Sequence, residues 1–265
     1  MEYRRLGKTT EKISTIGMGT WRIGSYHSRE ERTDQIRTIR RGIELGINLI
    51  DTAEMYGEGR SEQLVAEAIS GLRDSVFIAT KVLPDHLHHD DVITACDRSL
   101  QRLGVRTVDL YQIHWPNTNV PIRETMSAME ELVRVGKVRY IGVSNFSVRQ
   151  TEEAREALTR SELVSNQVEY SISNRSVEDD LLPHCKRERI TLIAYSPLAR
   201  GAIPTSRVPK TLLQKYGMTP AQIMLNWATR DEAVVAIPKA ARTDHVEENA
   251  ASVSVRFGQQ EYDLI

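Results

Sequence analysis

The chain has 265 residues, of which 40% are hydrophobic and 27% are charged, proportions that are typical of a globular protein and exclude a disordered or fibrous one. Its 35 Lys and Arg residues nearly balance 36 Asp and Glu residues, so the formal net charge is −1, and no general electrostatic reason remains to expect a nucleic-acid or anionic-membrane partner. No apolar run approaches the roughly 18 residues of a membrane-spanning helix, and the N-terminus lacks the apolar core of a signal peptide. We therefore expect a cytoplasmic protein that binds neither membrane nor nucleic acid, with one domain over residues 1–265.

Short apolar runs alternate with segments of helical periodicity along the chain. The first two extended segments, 3–6 and 12–14, are joined across Gly7 and Lys8 and predict a β-hairpin. Several of the later runs are rich in β-branched residues and apolar on both faces, which is typical of parallel strands covered by helices. Eight such strands are predicted, over 15–18, 47–50, 76–79, 108–113, 138–143, 166–168, 191–194 and 233–237.

The intervening segments carry helix signals. Apolar residues recur at helical spacing over 29–45. Ser61 precedes a second apolar stripe and is expected to be the N-cap of its helix. Thr219 and Pro220 form a cap and a first-turn proline for a helix over 221–229.

Repeated βα units close either as an open doubly wound sheet or as an eight-stranded barrel. The open sheet predicts the sequence G-x-G-x-x-G after an early strand, but the segments that begin at Gly17 and Gly57 both lack the third glycine. Eight strands without this fingerprint favour an α/β fold of the (β/α)8 TIM-barrel type, with the N-terminal hairpin covering its bottom.

Four chemically active side chains follow three adjacent strands, namely Asp51, Tyr56, Lys81 and His114. Each alone has an ordinary structural interpretation, as a turn former, a loop packing residue, a solvated strand end or a hydrogen-bonded imidazole. In a barrel, however, the C-terminal ends of the strands meet at one mouth, where catalytic residues lie. The barrel fold therefore predicts that the four side chains form one site.

The residues at the strand ends carry a resemblance to a known family: the sequence resembles the aldo-keto reductases. The matching segments follow the family's order, one for each strand end, from residue 1 to about residue 250. They are Gly19-Thr20-Trp21, Ile50-Asp51-Thr52-Ala53 with Tyr56-Gly57, Thr80-Lys81, His114-Trp115, Gly142-Val143-Ser144-Asn145-Phe146, Asn166-Gln167-Val168-Glu169-Tyr170, Tyr195-Ser196-Pro197-Leu198, and Ile237-Pro238-Lys239 with Glu248-Asn249.

The resemblance implies that Asp51, Tyr56, Lys81 and His114 are the catalytic residues of a carbonyl reductase. Reduction delivers hydride to carbon and a proton to oxygen, and a tyrosine with its ordinary pKa of about 10 is a weak acid for this task. A cationic Lys81, paired with Asp51, is expected to lower the pKa of Tyr56. A neutral His114 is expected to hydrogen-bond the carbonyl oxygen.

The resemblance also implies that NADPH/NADP+ is the cofactor. Ser144, Asn145 and Gln167 are expected to bind the nicotinamide carboxamide, and Tyr195 to stack on its ring. Lys239 and Arg242 suit a 2′-phosphate at a helix start, although His245 stands where many members have arginine, which leaves NADH as a less favoured cofactor. The full set of expected cofactor residues is Gly19, Thr20, Trp21, Asp51, Ser144, Asn145, Gln167, Tyr195, Ser196, Pro197, Leu198, Gly201, Ile237, Pro238, Lys239, Ala240, Arg242, His245, Glu248 and Asn249.

The substrate site is expected to be open and shallow and to take a small aldehyde or ketone. Trp21, Met55 and Trp115 lie beside Tyr56 and His114 in sequence and are expected to line an apolar pocket. The segment 116–121 after the fourth strand is short, and the tail after Asn249 has too few residues for a large lid, leaving only Tyr262 as a residue that could fold back over the mouth. No metal site is expected, and a monomer is expected because a barrel closes on its own.

Two other functions fit parts of the pattern. Channel β-subunits, which bind a nicotinamide cofactor and regulate a partner, share the fold and the loop Y-G-x-G-x-S-E, here residues 56–62. Against this function stands the complete set of four catalytic side chains. A barrel isomerase or lyase without nicotinamide would leave Ser144, Gln167, Tyr195 and Lys239 unexplained.

Overall fold

The computed structural model describes residues 1–202 and 205–265. The strands are β1 Tyr3–Arg5, β2 Lys12–Ser14, β3 Met18–Gly19, β4 Leu49–Asp51, β5 Phe77–Val82, β6 Val108–Ile113, β7 Val138–Ser144, β8 Leu163–Glu169, β9 Thr191–Tyr195 and β10 Val234–Ala236. The helices are α1 Arg29–Glu44, α2 Arg60–Ala68, α3 His89–Leu103, α4 Ile122–Arg134, α5 Val148–Ala157, α6 Leu181–Glu188, α7 Lys210–Tyr216, α8 Pro220–Ala228, α9 Thr243–Ala251 and α10 Gln259–Tyr262.

Strands β3 to β10 lie side by side in chain order, all parallel, and helices cross over between them. Backbone bonds join the two edges: the Gly17 amide donates to the Ala236 carbonyl at 2.8 Å, and the Ala236 amide donates to the Thr15 carbonyl at 2.9 Å. The edges therefore close into the predicted (β/α)8 barrel. The predicted strand segments all coincide with or overlap this ladder, and the strand over Asn166 extends further in both directions than its sequence pattern indicated.

The N-terminal hairpin covers the bottom of the barrel, as predicted. Leu6 and Ile13 of the hairpin are fully buried in a cluster with Leu49, Phe77 and Val164, which lie at or near the starts of their strands. Because parallel strands begin at the same end of a barrel, this cluster seals the end opposite to the mouth.

The helix signals were correct in two cases and wrong in one. Helix α1 matches its predicted range, and Thr219 caps α8 by accepting from the Gln222 amide, with Pro220 in the first turn. Ser61 is not an N-cap: α2 begins at Arg60, and its N-cap is Gly59 in the left-handed conformation (φ 87°). A left-handed N-cap suits glycine, which lacks the Cβ that makes this conformation costly.

The C-terminal tail runs along the outside of the barrel and not over its mouth. The Tyr262 hydroxyl donates to Asn226 of α8 at 2.8 Å, and Arg256 forms an ion pair with Glu2 beside the bottom hairpin. Tyr262 therefore does not fold back toward the strand ends. Within the described ranges, no helix is long and apolar enough to cross a lipid bilayer.

Candidate active site

An ion pair lies inside the mouth of the barrel. The register places Asp51 at the end of β4 and Lys81 near the end of β5, and the Lys81 Nζ donates to Asp51 Oδ1 at 2.6 Å and to the Thr52 carbonyl at 2.9 Å. The side chain of Lys81 is fully buried. Burial alone would lower the pKa of Lys81, but Asp51 and Tyr56 outweigh it and raise that pKa. The ammonium is therefore held charged in a dry environment, as the sequence predicted.

The Tyr56 hydroxyl lies 3.5 Å from Lys81 Nζ, and the ammonium lies 5.1 Å from the centre of the phenol ring. Burial raises the pKa of Tyr56 above its ordinary value, and although Lys81 acts to lower that pKa, it does not outweigh burial. The expectation of a lowered pKa was thus wrong in its net sign, because the desolvation of the phenolate is the larger effect. A raised pKa keeps the phenol protonated at neutral pH, ready to donate.

His114 completes the cluster. Its ring packs edge-on against Tyr56, with ring centres 5.7 Å apart. Burial, followed by the charge of Lys81, lowers the pKa of His114 to about 3, so the imidazole is neutral, as expected. Its Nδ1 is buried without a hydrogen-bond partner among the described residues. The structure thus brings all four predicted side chains together.

Two glutamines hold the second oxygen of Asp51. Gln167 Nε2 donates to Asp51 Oδ2 at 2.7 Å, and Gln112 Nε2 lies 3.4 Å from the same atom. Sequence reasoning placed Gln167 at the cofactor and did not single out Gln112. The signal for Gln112 was available, because it is a polar residue in the fully buried strand β6.

The expected substrate pocket is open. Trp21, Met55 and Trp115 are each more than 40% exposed, at 43%, 47% and 47%, and they follow the ends of β3, β4 and β6. The guanidinium of Arg22 covers one face of Trp21, 4.4 Å from its centre. These exposed apolar side chains therefore lie at the same end of the barrel as Tyr56 and His114.

The residues expected at the nicotinamide contact one another. The Ser144 hydroxyl donates to the Gln167 carbonyl at 2.8 Å. Asn145, held in the left-handed conformation (φ 63°), donates from Nδ2 to the His114 carbonyl at 3.0 Å and accepts from the Tyr195 hydroxyl at 2.9 Å. A polar floor with a tyrosine beside it therefore adjoins the proposed reacting groups, and these residue types can hold a planar amide.

The loop after β9 is conformationally unusual. Ser196, Ala199 and Arg200 have positive φ angles of 50°, 49° and 56°, a conformation that costs energy in residues other than glycine and clusters at functional sites. The other expected cofactor residues of this loop are Pro197, Leu198 and Gly201, and Leu198 packs against the core.

A cleft of about 610 Å³ lies beside the mouth, between the loop after β3 and the start of α9. Lys239 and Arg242, the two residues that are expected to bind a phosphate, line it, and so does Arg22, which sequence reasoning missed. Burial, followed by the charge of Arg22, lowers the pKa of Lys239, which indicates two cations near each other. Arg242 is engaged by Asp244, with 3.0 Å between Arg242 Nε and Asp244 Oδ1. The lining also includes Glu31, Asp34 and Asp244, but Arg22 and Lys239 have no ion-pair partner among the described residues, and two such cations suit a phosphate group.

The remaining expected cofactor residues lie around this region in different settings. Glu248 accepts a hydrogen bond from the Thr219 hydroxyl of α8, Asn249 is buried, and His245 is exposed in the first turn of α9. The Thr20 hydroxyl is buried and accepts a hydrogen bond from the Ser61 hydroxyl at 2.7 Å. It therefore joins the segment after β3 to the first turn of α2.

Barrel closure accounts for a further group of these residues. The Gly19 amide donates to the Pro238 carbonyl at 3.1 Å, and a Cβ on Gly19 would lie 2.7 Å from the Ile237 carbonyl oxygen. The next residues along, Lys239 and Ala240, lead from this junction into the cleft.

The fold and the site define an aldo-keto reductase, and a comparison of sequences confirms it: the profile of the Aldo/keto reductase family matches residues 15–265. The chain belongs to this family, and it is an oxidoreductase.

Individual relatives agree over most of their lengths. The chain is 38% identical to the methylglyoxal reductase YeaE of Escherichia coli K12, over 96% of this chain and 90% of that protein. Its fold superposes on a thermostable aldo-keto reductase, Tm1743, crystallised with the inhibitor epalrestat, at a TM-score of 0.95 and 41% identity, with 100% and 98% of the two chains covered. An aldo-keto reductase of Klebsiella pneumoniae in complex with NADPH matches at a TM-score of 0.89 and 36% identity, covering 99% of this chain and 93% of that one.

Proposed function

We propose that this protein reduces small aldehydes and ketones to alcohols with NADPH as the cofactor, and that Tyr56 donates the proton. The observation that carries the proposal is the buried arrangement of Tyr56, Lys81, Asp51 and His114 at the mouth, where a phenol lies 3.5 Å from a charged ammonium. Family membership and the NADPH complex of the Klebsiella relative support the cofactor.

The cations of the cleft, Arg22, Lys239 and Arg242, would hold the phosphates of the cofactor, while Asn145 and Tyr195 would position its nicotinamide. When bound, NADPH supplies the hydride. The fit is supported by two neighbouring cations in the cleft, Arg22 and Lys239, which have no ion-pair partner among the described residues, and by a polar floor beside them with both donors and acceptors.

The chain's own residues handle the oxygen of the carbonyl. The neutral His114 donates a hydrogen bond that orients the carbonyl oxygen toward Tyr56, and Tyr56 gives up its hydroxyl proton as the oxygen gains negative charge. Lys81 then stabilises the phenolate, because a fixed positive charge in a dry site acts strongly on a nearby anion. Asp51 keeps Lys81 charged and in place through its 2.6 Å contact.

The open rim formed by Trp21, Met55 and Trp115 favours several small carbonyl compounds over one bulky substrate. Methylglyoxal is a suitable first substrate, given the relative that is named for its reduction. We also propose that residues 1–265 act as one domain and as a monomer, which is supported by a barrel that closes within a single chain.

The test is NADPH consumption with methylglyoxal and an aromatic aldehyde, comparing the native protein with Tyr56→Phe. Loss of the proton donor is expected to lower kcat by about 10²- to 10⁴-fold, while NADPH still binds. Tyr262→Phe is the matched control, because it removes a hydroxyl on the outside of the barrel, and it should turn over like the native protein.

Equal turnover by Tyr56→Phe would contradict the role of Tyr56. A native protein that binds NADPH but reduces no member of a broad aldehyde and ketone panel would favour a regulatory subunit instead.

A further inference from the structure

The segment from Tyr56 to Glu62 contains a buried charge that the proposed reaction does not use. The side chain of Glu62 is fully buried, and a carboxylate is costly to bury unless it is paired and hydrogen-bonded. The segment begins with the proposed proton donor and ends with this carboxylate. The contacts of Glu62 therefore affect the backbone that carries Tyr56.

Glu62 joins three elements of the fold. Its Oε1 accepts from the Thr80 hydroxyl of β5 at 2.6 Å, and its Oε2 accepts from Arg102 Nε of α3 at 2.5 Å. Thr80 directly precedes Lys81, so the carboxylate ties the start of α2 to the strand that carries the ammonium.

Arg102 also packs against the loop between Tyr56 and Glu62. Its side chain is 21% exposed and lies so close to Gly59 that a Cβ there would be 2.4 Å from Arg102 Cδ. Gly59 itself has a φ of 87°. The backbone of the loop is thus held between the arginine and its own tight turn, in which the Ser61 amide donates to the Tyr56 carbonyl at 3.3 Å.

The position of the phenol depends on this loop. Among the described residues, the hydroxyl of Tyr56 has one hydrogen-bond contact, the 3.5 Å approach to Lys81. The ring also packs edge-on against His114, but no short hydrogen bond fixes the hydroxyl, so its distance from Lys81 depends on the backbone that carries Tyr56.

We propose that the Glu62–Arg102 ion pair is a positioning device that sets the separation between the Tyr56 hydroxyl and Lys81. It holds the tyrosine loop against β5 from the side away from the substrate, and neither residue touches the reacting groups. The proposal rests on the proposed function of Tyr56 as the proton donor. It also gives the Y-G-x-G-x-S-E segment a role in the reaction.

Arg102→Met is the principal variant, because methionine fills the space of the arginine stem and removes the donor to Glu62. A misplacement of about 1 Å is expected to cost on the order of 10- to 100-fold in kcat, with the NADPH Kd and the KM for the carbonyl close to native. Arg102→Lys restores a cation near Glu62 and should recover part of the lost kcat. Arg98→Met is the matched control, on the exposed face of the same helix, and should behave like the native protein.

A merely structural role gives a different result. The unfolding temperature of Arg102→Met would fall, but kcat measured well below that temperature would equal the native value, and the proposal would be overturned. If Arg102→Met does not fold, Glu62→Gln takes its place, because it removes the buried charge and leaves Arg102, which is 21% exposed, in contact with water: a loss of kcat with a native NADPH Kd supports the proposal, and a native kcat overturns it.

A second measurement does not depend on turnover. In crystals of the native protein and of Arg102→Met grown with NADP+, the distance between Tyr56 Oη and Lys81 Nζ is expected to differ by about 0.5–1 Å, a shift large enough to impair a catalytic geometry. An unchanged distance overturns the positioning proposal even if the protein proves to have no reductase activity. A changed distance in an inactive protein would leave the positioning intact and contradict the proposed function alone.

Discussion

Both ends of the barrel bury a carboxylate, but they complete its surroundings to different degrees. At the bottom, Asp109 is 2% exposed and accepts from Arg73 at 2.8 Å, from Arg139 at 2.7 Å and from the Ile78 amide at 2.8 Å. At the mouth, Asp51 is equally buried and well paired, but its partner Lys81 reaches on toward Tyr56. The groups around the bottom carboxylate all have hydrogen-bond partners. The carboxylate at the mouth supports a cluster in which some polar groups lack short hydrogen bonds.

The polar groups at the mouth are available for chemistry because they lack short hydrogen bonds within the protein. The phenol of Tyr56 has a single long contact, and His114 Nδ1 lacks a partner among the described residues. Buried polar groups are normally paired, but other buried atoms without a partner among the described residues, such as Thr15 Oγ1 and Ser165 Oγ, lie elsewhere in the barrel. Neither a buried charge nor an unpaired polar atom therefore marks a site by itself, whereas the mouth combines a buried ion pair, a phenol and a neutral imidazole in one cluster.

Two clefts repeat the contrast on the surface. Each has a volume of about 610 Å³. At the bottom, Arg139 is balanced by Asp109 and Glu11, whereas beside the mouth Lys239 lies near a second cation, Arg22. Uncompensated positive charge beside the mouth suits an anionic cofactor.

The largest expected effect comes from Asp109→Asn. Removing this charge leaves Arg73 without its counter-ion and Arg139 with Glu11 alone. Because both arginine side chains are partly exposed, the free energy of unfolding should fall by about 2–4 kcal/mol, less than for a fully buried pair. None of the partners of Asp109 contacts the proposed reacting groups at the mouth. At a temperature where the variant is folded, kcat should therefore remain near the native value. Urea unfolding together with turnover measures both, and a matching loss of kcat would show that the two ends are coupled.

Arg242→Met is expected to have the next largest effect. Loss of a charged donor to a phosphate should raise the KM for NADPH about 10-fold and the KM for NADH much less, because only NADPH carries the 2′-phosphate. Arg106→Met, in the bottom cleft, is the matched control and should leave both constants unchanged. Equal increases for the two cofactors would place Arg242 away from the 2′-phosphate.

The smallest effect is expected from pH. His114 is neutral above its pKa of about 3, and burial raises the pKa of Tyr56 above its ordinary value, so the phenol stays protonated at neutral pH. Between about pH 5 and 8, where an ordinary histidine titrates, kcat/KM for carbonyl reduction should be nearly flat, and it should fall only as the pH rises toward the pKa of Tyr56. A limb near pH 6.5 that disappears in His114→Gln would contradict the neutral imidazole.

The sequence predicted most of the fold and the reacting groups for one reason: in a parallel barrel, strand ends meet. Once the strands that end before Asp51, Lys81 and His114 were recognised, their convergence followed from topology, without any distance being known. The start of α2 was harder to predict, because Gly59 in the left-handed conformation is the N-cap and not Ser61, the residue type that usually occupies this position.

The sequence did not predict the direction of the Tyr56 pKa shift or the partners of two glutamates. These properties depend on burial in three dimensions and on residues that are distant in the chain. The net rise in the pKa of Tyr56 comes from desolvation, which pairwise reasoning about Lys81 does not include. Glu248 is bound by Thr219 from a neighbouring helix, and Glu62 by Arg102, partners that are 29 and 40 residues away in the chain. The role of residues 1–265 as a single domain and the roles of the cofactor residues remain predictions.

The most direct measurement sets the two buried carboxylates against each other. Asp51→Asn and Asp109→Asn remove the same charge from opposite ends of the barrel, and kcat for methylglyoxal is measured for both at a temperature where both are folded. We predict a loss in kcat of at least about 100-fold for Asp51→Asn, because Lys81 loses the counter-ion that keeps it charged beside Tyr56, and a near-native kcat for Asp109→Asn. Equal values of kcat in the two variants would contradict the assignment of catalysis to the mouth.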